Sequence, residues 1–99
     1  MKLGRVIKVL LKSKGITQAE LARKVNKSPT AISQILNGLY RPNAETLEAI
    51  AKVLEIPVPI IYFLSLSEDD IPEEKKELYK MLSPSFDKFL FEIFSVGNK

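Results

Sequence analysis

Two helix-start signals, at Thr17 and Ser28, stand eleven residues apart and leave room for one short helix and a tight turn. Thr17 and Glu20 have capping-box spacing, in which hydroxyl and carboxylate each satisfy a backbone donor at the helix start. Ile16 before the cap and Leu21 after it are placed to form a hydrophobic staple. Ser28 is followed by Pro29, and proline at the first helical position loses no hydrogen bond. Only Asn26 and Lys27 separate the two helices. Asparagine tolerates the left-handed conformation better than other non-glycine residues, so Asn26 is expected to end the first of the pair. Gly38 is expected to close the second. Helices joined this tightly turn sharply against each other, with Leu21, Ala22 and Val25 meeting Ile32 and Ile35. Ala22 is small where two backbones approach.

The rest of the chain also reads as helical. A first helix over about 2–14 aligns Leu3, Ile7, Leu10 and Leu11 on one face, and Gly15 closes it. Asn43 caps a fourth helix that reaches about Leu54 and turns Leu47, Ile50, Ala51 and Leu54 inward. A fifth follows Pro57 or Pro59 and carries Ile60, Ile61, Phe63 and Leu64. The acidic segment 67–70 is expected to be a linker. Pro72, Glu73 and Glu74 open a sixth helix, with acid groups at its positive end. Ser83 and Pro84 open a seventh, on which Phe86, Phe89, Leu90, Ile93 and Phe94 share a stripe and Phe91 lies off it. The expected fold class is all-α: a five-helix domain over 1–66 and a C-terminal extension of two additional helices over 67–99.

Composition excludes much chemistry. The 99 residues include no cysteine and no histidine, so disulfides, thiolate zinc sites and Ser-His-Asp or Cys-His catalysis are ruled out. Asp69 and Asp70 are adjacent and read as solvated linker. Neither paired catalytic carboxylates nor a phosphate loop can be identified, so no enzyme, metal or cofactor is expected. The net charge of +3 hides an asymmetry. Residues 1–66 hold ten Lys/Arg and four Asp/Glu, or +6; residues 67–99 hold five and eight, or −3. A basic N-terminal part suits an anionic partner such as nucleic acid. Taken alone, that charge fits a solvated lysine surface better. The apolar run Val6–Leu11 is broken by Lys8 and too short for a signal-peptide core. The run 56–66 contains Pro57, Pro59 and Ser65 and falls short of the ~20 residues of a membrane helix. A soluble, cytoplasmic protein without membrane contact is expected.

The stretch Thr17-Gln18-Ala19-Glu20-Leu21-Ala22, with Ser28, Ile32-Ser33, Asn37-Gly38 and Arg41-Pro42, resembles the XRE family, which includes the phage repressor and Cro proteins. The resemblance covers about residues 3–64 and does not extend to residues 67–99. It implies a repressor-like helix-turn-helix domain that binds double-stranded DNA with helix 28–37 in the major groove. Under it, Pro29, Thr30, Ser33 and Gln34 are base-reading candidates, because burial of the apolar stripe turns the polar ones outward. A glutamine amide matches an adenine edge, a threonine offers hydroxyl or methyl, and Pro29 offers apolar contact only. Gln18 sits in the first turn, where family members contact a phosphate. Asn37 and Arg41 match positions that touch the DNA backbone, Lys27 adds an exposed cation, and Thr17 joins them as a backbone candidate. The competing reading for these side chains is structural: Thr17 and Glu20 as caps, the others as a solvated helix face.

Two departures from the family pattern stand out. The turn holds Asn26 and Lys27 where glycine and an apolar residue are usual. Leu11 and Leu36 stand where many phage repressors have an arginine and a glutamate in a buried ion pair, and replacing both partners by apolar residues is neutral or stabilising. The pair is therefore expected to lie together in the core.

Beyond Ser67 the apolar density exceeds what one helix packed on its own domain covers. Phe86, Phe89, Leu90, Phe91, Ile93 and Phe94 are therefore candidates for a homodimer interface. A two-fold dimer would set the recognition helices about 34–36 Å apart, on successive major grooves. The alternative is an antitoxin-like interaction module whose C-terminal helices grip a partner protein.

Overall fold

Left-handed residues decide where four helices of this chain stop. The computed structural model describes residues 1–94. In it α1 (Leu3–Lys14) ends at Gly15, α2 (Gln18–Lys24) turns at Asn26, α3 (Pro29–Leu36) at Gly38 and α4 (Ala44–Leu54) at Glu55. Their φ angles are 72°, 61°, 83° and 59°. Each of these residues bonds three positions back, and its successor bonds five back, which satisfies carbonyls the helix leaves open. At the turn between α2 and α3 these bonds run from Asn26 N–H to the Arg23 carbonyl at 3.2 Å and from Lys27 N–H to the Ala22 carbonyl at 2.9 Å. Asn26 thus does what a glycine would do there. Glu55 was not foreseen in this role. A non-glycine residue in this conformation costs about 1–3 kcal/mol.

The helix starts follow the expected caps. Ser28 Oγ accepts from Ala31 N–H at 3.0 Å, and Asn43 Oδ1 accepts from Thr46 N–H at 2.8 Å. Both candidate starts of the fifth helix meet in one turn, since Pro57 is the N-cap of α5 (Val58–Ser65) and Pro59 lies just inside it.

Ile7, Leu10, Leu21, Ile32, Leu47, Ile50, Leu54, Ile56 and Ile61 are fully buried in one cluster. Each aliphatic side chain so buried contributes roughly 1.5–3 kcal/mol. Leu11 and Leu36, both 3% exposed, belong to that same cluster. α1 packs on α3, α4 and α5, so it runs through the middle of the domain. It meets the end of α3 closely at Gly4, where an added Cβ would run into the Ile35 carbonyl oxygen.

The all-α fold class holds over the described residues, but the C-terminal extension is one helix rather than two. Short 3-10 turns at Glu68–Asp70 and Glu73–Lys75 lead into α6 (Lys76–Phe94), which continues through Pro84. Proline there forfeits one hydrogen bond and crowds the Lys80 carbonyl. Anchors on both sides of it offset the cost. Tyr79 Oη donates to the Leu66 carbonyl at 3.0 Å, Phe86 meets Phe63 edge-on at 5.8 Å, and Leu90 enters the core. Proline at a helix start and proline inside a helix look alike when only the neighbouring residues are considered.

This docking also fixes which face of α6 points inward. Leu90 is 5% exposed, and Phe91 and Phe94 pack against the core beside it. Phe91, expected to lack cover, is half-buried against its own domain, as is Phe94, and of these three only Leu90 is fully withdrawn from a face open to a partner. Phe86, Phe89 and Ile93 stay exposed at 45%, 56% and 51%. Leu78, Met81 and Leu82 are exposed on the same helix, and Tyr62 and Phe63 on α5. Residues 95–99 of the expected C-terminal segment lie outside the described residues.

Candidate nucleic-acid interface

The buried faces of α2 and α3 determine what the pair presents outward. Leu21, Ala22, Ile32, Ile35 and Leu36 are buried, so the polar residues between them are turned away from the core. Thr17 is the cap of α2. Its Oγ1 accepts from Glu20 N–H at 3.0 Å, and Glu20 Oε1 accepts from Thr17 N–H at 2.9 Å. The Thr17 N–H, and then its hydroxyl, hold the Glu20 carboxyl below its ordinary range. The Thr17 side chain is therefore engaged by the cap, while Gln18 beside it is exposed.

Pro29 and Thr30 are exposed at the start of α3, and Ser33 and Gln34 are half-buried one turn later. Positions 30, 33 and 34 share a face, since residues three and four apart are neighbours on a helix. Gln34 lines a shallow cleft of about 240 Å³ with Lys27, Tyr40 and Arg41. Three sequence candidates are thus brought together, and Tyr40 is an addition.

At the other end of α3, Asn37 Nδ2 donates to Ser33 Oγ at 3.4 Å, and Asn37 Oδ1 accepts from Lys8 Nζ at 3.1 Å. Lys8 comes from α1, 29 positions away in sequence, and no local pattern signals it. Asn37 and Arg41 line a second cleft, of about 330 Å³, with Lys2, Arg5 and Tyr40. Thr17 and Gln18 line neither cleft. Leu39 and Tyr40, in the loop after α3, are 71% and 61% exposed. An exposed apolar pair beside a row of cations was not foreseen, and burial is the only property that marks it.

Among the described residues, no group of acidic side chains is arranged to hold a metal ion. No helix among them is long and apolar enough to cross a membrane.

The family model described as "Helix-turn-helix" matches residues 7–61. The chain is 33% identical over 97 positions to the "Immunity repressor protein" of Bacillus phage phi105, covering 86% of this chain and 67% of that protein. It is 36% identical over 73 positions to the "ImmF control region 10 kDa protein" of the same phage, covering 74% and 78%. Similarity to the human "Endothelial differentiation-related factor 1" is 35% over 54 positions and spans only 36% of that protein. No solved structure is a significant match.

Proposed function

This chain belongs to the XRE-type helix-turn-helix family of DNA-binding transcription regulators, and from that premise we propose that it is a repressor that binds double-stranded DNA as a homodimer, α3 lying in the major groove. The observation that carries the groove reading is the α2–α3 pair itself. Its apolar side is sealed into the core, its turn is closed at Asn26, and Thr30 and Gln34 lie on the remaining face. Thr30 lies in the N-terminal part of α3, from which such a helix reads base edges, and Gln34 follows one turn later on the same face. The carboxamide of Gln34 donates and accepts at once, as an adenine edge requires. Gln34→Ala is expected to weaken binding by about 1–3 kcal/mol on a duplex the protein selects from random DNA. It should also relax preference at one base position. Anisotropy titrations on the selected duplex and its single-base variants measure both, and unchanged specific binding would sink the assignment.

The homodimer reading is supported by the exposed apolar face of α5 and α6. Phe63, Leu82, Phe86, Phe89 and Ile93 form part of it. Contiguous apolar surface beyond a few hundred Å² marks an interface, and a two-fold axis pairs like patches. Glu68, Asp69, Asp70, Glu73 and Glu74 precede α6, which favours placing this end away from DNA. Truncation at Ser67 is a poor test, because it would remove Leu90 from the core. Phe89→Glu with Ile93→Glu is the cleaner one. Sedimentation should show a dimer for the parent chain and a monomer with the same circular dichroism for the variant. A parent chain that stays monomeric at tens of micromolar, or a variant that stays dimeric, refutes this face as the dimer contact.

A further inference from the structure

α1 carries Arg5, Lys8, Lys12 and Lys14 and no acidic residue. At 3.6 residues per turn, positions 5, 8 and 12 fall within about 60° of one another, opposite the buried Leu3, Ile7, Leu10 and Leu11. Such a stripe is ordinarily a solvated face. Two features of this fold join it to the end of α3.

The first is the network at Asn37. A lysine ammonium only donates, so the 3.1 Å bond from Lys8 Nζ turns the Asn37 carbonyl toward α1 and its NH₂ toward α3. Ser33 Oγ accepts from that NH₂ at 3.4 Å, which leaves the serine proton to donate elsewhere. Lys8 keeps two further N–H groups, and Asn37 one. The cluster offers donors in excess, which matches a phosphate oxygen. The second feature is the neighbouring cleft of about 330 Å³, lined by Lys2, Arg5 and Arg41 and by no carboxylate side chain. Asn37 belongs to both.

We propose that α1 is a second DNA-backbone element, in which Lys8 and Asn37, with Ser33, hold one phosphate, and Arg5 with Arg41 hold a neighbouring one across the cleft. Ser33 is thereby moved from base reading to backbone contact. The proposal rests on α3 docking in the major groove.

The test uses the full chain, a duplex it selects from a random pool, and an unrelated duplex of equal length. Lys8→Gln and Arg5→Gln should each weaken binding about ten-fold on both duplexes and lower the slope of log K against log salt by about one. Lys52→Gln removes the same charge from the far end of α4 and should leave the slope unchanged. Methylphosphonate substitution then locates the contacts. One neutralised phosphate that weakens the parent chain should have no effect on Lys8→Gln or on Asn37→Ala, and an adjacent one should have none on Arg5→Gln. The proposal is overturned if Lys8→Gln and Arg5→Gln leave the slope intact, if Lys52→Gln changes it equally, or if the loss follows one base identity. Gln34→Ala on the same duplexes separates the two levels. If it relaxes specificity while the α1 variants do nothing, only the α1 contact fails. If the parent chain selects no duplex, the groove reading fails and takes this contact with it.

Discussion

Gly4→Ala is expected to cost about 3 kcal/mol, because the added methyl has no space to enter. For a domain of this size that lowers Tm by about 15 °C. The new Cβ would lie 2.3 Å from the Ile35 carbonyl oxygen and 2.8 Å from that of Leu36. Both are backbone atoms at the end of α3, and neither can swing aside. α1 would have to lift from α3, disturbing a core that contains Leu3, Ile7, Leu11 and Leu36. The sign of the effect is diagnostic. In an open helix the same change stabilises by about 1 kcal/mol, since alanine is the better helix former. Thermal melts followed by circular dichroism check it, and a variant that melts with or above the parent would show that the helices do not meet at Gly4.

Leu36→Glu is expected to cost about 3 kcal/mol or more, because it buries a carboxylate with no partner. Leu36 is 3% exposed and shares its cluster with Leu11, equally buried. Burial would raise the carboxyl pKa of the folded variant above its unfolded value. The folded state then binds more protons, so the deficit is largest at neutral pH and shrinks as pH falls toward about 4. Leu11→Arg in the same chain supplies the opposite charge. The double variant should recover about 0.5–3 kcal/mol relative to Leu36→Glu alone. Denaturant titrations of the four chains measure this coupling. A double variant no more stable than Leu36→Glu would mean that the two positions do not face each other.

These two positions differ in how legible they were. The Leu11–Leu36 pair follows from aligning the chain with its family pattern, because both members depart from it together. Gly4 carries no such mark. It sits mid-helix with nothing nearby in sequence to explain it, and only the crossing of α1 over α3 gives it a reason. Lys8 is similar. It looks like one more solvated lysine until Asn37 is placed beside it.

The C-terminal helix makes the same point about faces. Phe86, Phe89, Leu90, Ile93 and Phe94 form a fair stripe, and Phe91 falls outside it. The observed inward face is instead Leu90, Phe91 and Phe94, with Phe89 and Ile93 outward. In a helix this rich in apolar residues, several stripes are nearly equivalent, and the chain it packs against chooses among them.

By itself the sequence determined the helix starts at Thr17, Ser28 and Asn43, the turns at Gly15, Asn26 and Gly38, and the tightly joined α2–α3 pair that leaves Thr30 and Gln34 off its buried face. The helix starts and turns are set by bonds between residues no more than five positions apart, and the outward face follows from the periodicity of the apolar residues, both of which the order of residues states directly. Tertiary structure decided that Pro84 lies inside a continuous helix, that Glu55 takes a left-handed conformation, that Phe91 packs against the core, and that Lys8 meets Asn37. Each of these depends on a long-range packing contact or on strain that the surrounding fold sustains, and local residue order encodes neither the partner nor its approach.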